Sequence, residues 1–293
     1  MYPDFDGGSI LNLMSSIAKA SGTTTGHPEA RILPAKDINT KNIVLVVIDA
    51  VGALWLRKYA RKSFWARHLR GTLTSVFPSN TAVCISTFFT GKAPIEHGVI
   101  GWHLYAKEAG TTITPLLWKK RVTGELLPKR MRFVGNNQLF KRMDRKAYVV
   151  ALNRFKGSPY NRQMQLGAKV VGFDRLDQLA KIVARQVRKP GRKYVYAYWD
   201  GFDGVSHKKG TTSSLVRKHF REIDATLKDM AQRVRNTDTT IIVVADHGHI
   251  DTPRKNRIDF GDYPRLRALF AAPAGGDTRT RYIYAKKGKQ KAV

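Results

Sequence analysis

The sequence predicts an α/β protein, a three-layer α/β/α sandwich around a mainly parallel sheet. Three observations predict it. Apolar runs at Asn42–Ile48, Lys193–Trp199 and residues 239–245 are rich in β-branched and aromatic side chains. Runs of this length read as strands buried on both faces. Segments with helical spacing of apolar residues alternate with them, as crossover helices between parallel strands do. Each run also leads into an aspartate: Asp49, Asp200 with Asp203, and Asp246. Ligands of open α/β sheets gather at the carboxyl ends of strands, so these carboxylates can converge on one edge.

Taken in order, residues 9–19 (S-I-L-N-L-M-S-S-I-A-K) have helical spacing, and residues 28–40 form a polar connector into the first strand. Residues 51–65 read as one helix with an aromatic and apolar face. Residues 71–77 (G-T-L-T-S-V-F) read as a strand stopped by Pro78, and residues 80–90 as a helix ended by Gly91. Residues 107–159 are rich in Arg, Lys and Asn, with only residues 147–152 strand-like, and are expected to be an inserted cap. Residues 174–187 and 213–234 read as amphipathic helices flanking the run at Lys193–Trp199. Residues 259–271 read as a turn and helix, and residues 281–285 as one more strand.

The chain has 293 residues, enough for a full core, and its apolar content of 42% is ordinary. Its net charge of +30 is not ordinary. A field of that sign attracts phosphates, nucleic acid or other polyanions, and anionic lipid, without choosing among them. Cys84 is the single cysteine, which excludes an intramolecular disulfide and a cysteine-rich metal site. The start, M-Y-P-D-F-D-G-G-S, lacks the basic and apolar regions of a secretory signal. The apolar stretch 43–56, interrupted by Asp49, is too short to span a membrane. A cytoplasmic location is the expectation.

Carboxylates and imidazoles at three strand ends have the composition of a divalent-metal site with mixed oxygen and nitrogen ligands. Asp203 and His207 are four apart, so one helical turn or a compact loop aims both at one ion; Asp200 is the alternative to Asp203 but has no histidine at that offset. Asp246 and His247 are adjacent where the backbone leaves the third run. F-P-S-N-T-A places Thr81 at a strand-to-helix handover, beside Ser79 and Asn80. A hydroxyl at a helix N-terminus sits where backbone N–H groups favour an anion, and beside a divalent cation it can attack phosphorus. His97, Trp102 and His103, in residues 95–105, are candidates to line the same pocket.

The motifs V-L-V-V-I-D-A, F-P-S-N-T with G-K-A-P-I-E-H-G, Y-W-D-G-F-D-G-V-S-H-K-K-G and V-V-A-D-H-G-H occur in that order. In this the chain resembles the type I phosphodiesterase/nucleotide pyrophosphatase family of the alkaline phosphatase superfamily. The resemblance runs at least to His247. It implies one catalytic domain over residues 1–293, C-terminally incomplete, that hydrolyses phosphodiesters or phosphomonoesters. It further implies that Asp49, Thr81, Asp246 and His247 hold one ion with Thr81 as covalent nucleophile, and that Asp203 and His207 hold a second. The ions would be divalent, zinc in most relatives. Asn80 and His103 are the candidates to contact substrate.

Two departures from the family pattern shape the expectations. The family completes the second site with a histidine in a G-x-H-G-like context, and no histidine follows His249. The second site is therefore expected to be weak. Gly101-Trp102-His103 also lacks the phosphate-binding asparagine found nearby in nucleotide pyrophosphatases. The competing expectation is a non-catalytic protein that keeps this fold and binds RNA, a ribonucleoprotein or another polyanion.

Overall fold

A computed structural model describes residues 2–132 and 139–293. Ten strands follow one another along these residues. β1 (Asn42–Ile48) precedes a small antiparallel sheet of β2 (Leu104–Ala106), β3 (Thr111–Thr114) and β4 (Lys119–Lys120). β5 (Lys146–Leu152), β6 (Lys169–Phe173), β7 (Lys193–Trp199) and β8 (Thr239–Val244) return to the main sheet. A hairpin of β9 (Gly275–Gly276) and β10 (Arg281–Tyr282) closes the series. The main sheet has the order β6-β5-β7-β1-β8, with every pairing parallel.

Residue type explains why β1 lies inside the sheet. All seven of its residues are buried. Each large aliphatic side chain so buried contributes roughly 1.5–3 kcal/mol, enough to offset the roughly 1–2 kcal/mol of backbone entropy that a fixed residue costs. Alternate side chains feed two separate cores. Ile43, Leu45 and Val47 pack with Leu13, Ile17 and Phe88 of the helices Ile10–Ala20 and Thr81–Thr90. Val44, Val46 and Ile48 pack with Val183, Phe220 and Leu227 of the helices Leu179–Val187 and Ser214–Val234. Helices thus cover both faces, and the three-layer α/β/α architecture is present.

Several local expectations change. The helix expected over residues 51–65 is two helices, Ala53–Tyr59 and Phe64–Arg67. Ser63 starts the second by accepting from Ala66 N, and the Asp224 carboxylate takes the Phe64 and Trp65 N–H groups, both at 2.8 Å. Residues 71–77 form no strand. Thr74 bridges only Ser9, exchanging backbone bonds with Gly8 and Ile10 at 2.8 and 3.0 Å. Ser75 Oγ reaches the Asp246 carbonyl at 2.7 Å, so the segment straps the carboxyl end of the sheet. The expected strand at residues 281–285 is regular only at β10, with a single further bridge between Phe270 and Ala285. Residues 107–159 do not separate as one cap: β3 and β4 belong to the small sheet, whereas β5 pairs with β6 and β7 inside the main one. Residues 133–138 of that span lie outside the described residues.

Candidate active site

β7, β1 and β8 are neighbours in the sheet, so the segments leaving their carboxyl ends emerge about 5 Å apart. Asp49 continues the ladder one residue past β1, its N–H donating to the Trp199 carbonyl at 2.9 Å. Ala50 then turns with φ +64°, a left-handed conformation that costs a non-glycine residue roughly 1–2 kcal/mol. The turn aims the Ala50 N–H at Asp246 Oδ1, 3.1 Å away, and the His247 N–H meets the same oxygen at 2.9 Å. Asp246 Oδ2 has no hydrogen-bond partner among the described residues, although its residue is fully buried. Asp49 repeats the pattern: Oδ2 accepts from the buried Tyr198 hydroxyl, and Oδ1 is left over.

Two buried carboxylate oxygens without donors need a cause. Burial pushes the Asp49 carboxyl well above the usual carboxylate range, and the charges of Asp246 and Asp203 push it further. His247 Nε2 stands 3.2 Å from Asp49 Oδ1 and 3.6 Å from Asp246 Oδ2. These three residues bring one ligand atom each to within 4.8 Å of one another. An oxygen, oxygen and nitrogen set around unsatisfied carboxylate oxygens fits a divalent cation.

Thr81 opens the ten-residue helix Thr81–Thr90, with Asn80 Oδ1 capping it through Val83 N at 3.3 Å. The Thr81 hydroxyl lies 3.1 Å from His247 Nε2 and 3.5 Å from Asp49 Oδ2. Asn80 commits its other end to Asp277 Oδ2 at 2.9 Å, tying the β9–β10 hairpin to the helix start. His103 lines the same cleft as Thr81 and Asn80, with Nδ1 on Thr114 Oγ1 at 2.8 Å. Burial, then the Arg121 and Arg281 charges, lower its pKa to about 4.

The second group is held by the helix Gly201–Lys209, which puts Asp203 and His207 on one face, one turn apart. His207 Nε2 is 3.5 Å from Asp203 Oδ1, and His249 Nε2 is closer at 3.0 Å. The ligand atoms of Asp203, His207 and His249 also lie within 4.8 Å of one another. Burial raises the Asp203 pKa, but the His249 hydrogen bond and the histidine charges outweigh it and hold the carboxyl below its ordinary value. Asp200 does not join either group; it pairs with Arg154, Nη2 to Oδ1 at 2.6 Å.

The expectation that Asp203 and His207 stand without a third partner is therefore corrected. His249 escaped assignment because it was counted only as the last histidine of the chain. The D-H-G-H spacing carried the signal, since residues two apart on extended backbone face the same side. His97 is also corrected, from cleft to core. It is buried, accepts from Val99 N at 3.1 Å and meets Thr87 Oγ1 at 3.2 Å.

His97 makes an acid-stability prediction. Burial lowers its pKa to about 3, from 6.5 in the unfolded chain. Between those values the unfolded state binds more protons, so stability falls with falling pH, by about 1.4 kcal/mol per pH unit. His97→Gln should flatten the dependence of urea midpoint on pH between about 6 and 4. An unaltered slope would place the acid sensitivity elsewhere.

No curated protein sequence matches the chain. Among solved structures it is similar to murine ectonucleotide pyrophosphatase/phosphodiesterase 5, at 16% identity and TM-score 0.66, covering 85% of this chain and 68% of that one. An inactive variant of the murine protein in complex with AMP gives TM-score 0.65 at 16% identity, covering 85% and 67%. The human protein gives TM-score 0.65 at 17% identity with the same coverage. At such identities the likeness establishes the fold. The family model of type I phosphodiesterase/nucleotide pyrophosphatase matches residues 43–293, a stretch that contains both residue groups and Thr81. On that match the chain belongs to the type I phosphodiesterase/nucleotide pyrophosphatase family.

Proposed function

We propose that the protein hydrolyses phosphodiester or phosphomonoester bonds with Thr81 as nucleophile, assisted by a divalent cation at Asp49, Asp246 and His247. The observation that carries this reading is the position of the Thr81 hydroxyl, at a helix N-terminus and 3.1 Å from His247 Nε2. The unsatisfied oxygens of Asp49 and Asp246 support the cation, and the mixed donor set suits zinc. When bound, the cation would supply positive charge that lowers the pKa of the hydroxyl and offsets charge developing on the phosphoryl oxygens.

The chain's own residues do the rest. Thr81 Oγ1 forms a bond to phosphorus, the bond from phosphorus to the leaving oxygen breaks, and the hydroxyl proton passes to solvent. Water then cleaves the threonine ester and restores the hydroxyl. Backbone N–H groups at the start of the helix Thr81–Thr90 face the anion. Tyr198 keeps Asp49 oriented through Oδ2. Asn80 and His103 are placed to meet the substrate; for Asn80 this requires exchange of its bond to Asp277. The murine relative was solved with AMP, which makes nucleoside monophosphate esters the first natural substrates to try.

The test is release of p-nitrophenol from p-nitrophenyl and bis(p-nitrophenyl) phosphate by metal-stripped protein given zinc, manganese or no metal. Metal-dependent turnover of either ester is expected. No turnover with any metal, and no phosphorylated or nucleotidylated Thr81 on rapid quenching, would overturn the proposal.

A further inference from the structure

We infer that Asp203, His207 and His249 form a second divalent-cation site, with His249 as the ligand the family otherwise draws from a later histidine. Its purpose rests on the hydrolase reading above; its geometry does not. Two imidazole Nε2 atoms converge on one carboxylate oxygen, Asp203 Oδ1, at 3.0 and 3.5 Å. A structural ion pair needs only one of them. The two rings meet edge to face with centroids 4.5 Å apart, so their nitrogens share a space instead of stacking. Asp203 and His249 are mostly covered, while the His207 side chain is 69% exposed, which leaves the site open on one side. Three protein ligands and an open position form the pattern of a catalytic zinc site, and two nitrogens disfavour magnesium or calcium.

Local backbone explains how one short segment reaches both residue groups. Beyond β8 the tetrapeptide Asp246-His247-Gly248-His249 gives its first two side chains to the Asp49 group and its last to Asp203. The His247 and His249 rings are 5.9 Å apart. Gly248 between them passes directly over Gly52, where a Cβ would come within 2.7 Å of Gly248 Cα. That close approach seats the segment against the turn after Asp49 and fixes both histidines relative to β1. The D-H-G-H spacing is thus the feature that replaces a downstream ligand.

The experiment is titration of the metal-stripped chain with zinc by calorimetry and with cobalt(II) by absorption and proton NMR. Wild type, His249→Ala, His207→Ala and Asp49→Ala would be compared. Wild type should bind two equivalents. His249→Ala should keep one and weaken the other at least about tenfold, the usual effect of losing support at a metal site. It should also lose one cobalt-shifted imidazole N–H signal, and circular dichroism in EDTA should show it folded. Asp49→Ala should weaken the complementary equivalent. Two equivalents of unchanged affinity in His249→Ala would overturn the assignment. So would a wild type that binds one equivalent, lost in Asp49→Ala; the hydrolase reading would then stand without a second site. Binding of no equivalent would overturn both.

Discussion

Thr81→Ala loses hydrolysis of aryl phosphate esters by about a thousandfold or more, the scale on which removal of a covalent nucleophile acts. Ser79→Ala keeps most of it. The two hydroxyls are two residues apart, yet only Thr81 lies in the cleft within 3.1 Å of His247 Nε2, while Ser79 is exposed. Thr81→Ala should not unfold the helix, because the cap is supplied by Asn80 and not by Thr81. The loss should therefore fall on kcat, with zinc stoichiometry and thermal midpoint close to wild type. Thr81→Ser, which keeps an Oγ, should restore part of the rate. Wild-type rates in Thr81→Ala would assign attack to water and leave the hydroxyl a bystander.

The site was legible because its determinants are local. An apolar run that ends in aspartate shows both the strand and the position of the carboxylate, and three such runs give Asp49, Asp203 and Asp246 without knowledge of strand order. Asp203 could be chosen over Asp200 because an aspartate and a histidine four apart share a helix face, as they do on Gly201–Lys209. What could not be read depends on contacts distant in sequence. β6 is five residues with a glycine and becomes a strand only by pairing with β5. Residues 71–77 have strand composition, but their neighbours are Gly8–Ile10 and Asp246 instead of a sheet edge. His97 and His103 lie six apart in one segment, and only packing sends the first into the core and the second into the cleft. His249 was legible in principle, since its D-H-G-H setting is as local as the motifs that were used.

Asp49→Asn separates the cost of the carboxylate pair from its use. The folded pKa of Asp49 is raised, by burial first and by Asp246 and Asp203 next. For an acid this means that the native state binds more protons than the unfolded chain between the unfolded pKa, about 3.9, and the raised value. Stability is then fully present below that window and is lost as pH rises through it. At neutral pH the ionised pair works against the metal-free fold. Asp49→Asn keeps the size of the side chain and removes one of the charges, so in EDTA its thermal midpoint should lie above that of wild type. A cation reverses the order. At a hundred times its Kd it adds about 2.7 kcal/mol to wild type, about 5 °C at roughly 2 °C per kcal/mol for a chain of this size. Asp49→Asn should lose most of that rise, because the remaining ligands of this group are Asp246 and His247. Thermal denaturation of both proteins, with EDTA and with zinc, measures the crossing directly. A variant less stable than wild type in EDTA, yet with the same rise on adding zinc, would mean that Asp49 supports the fold through Tyr198 and the Trp199 carbonyl and holds no ion.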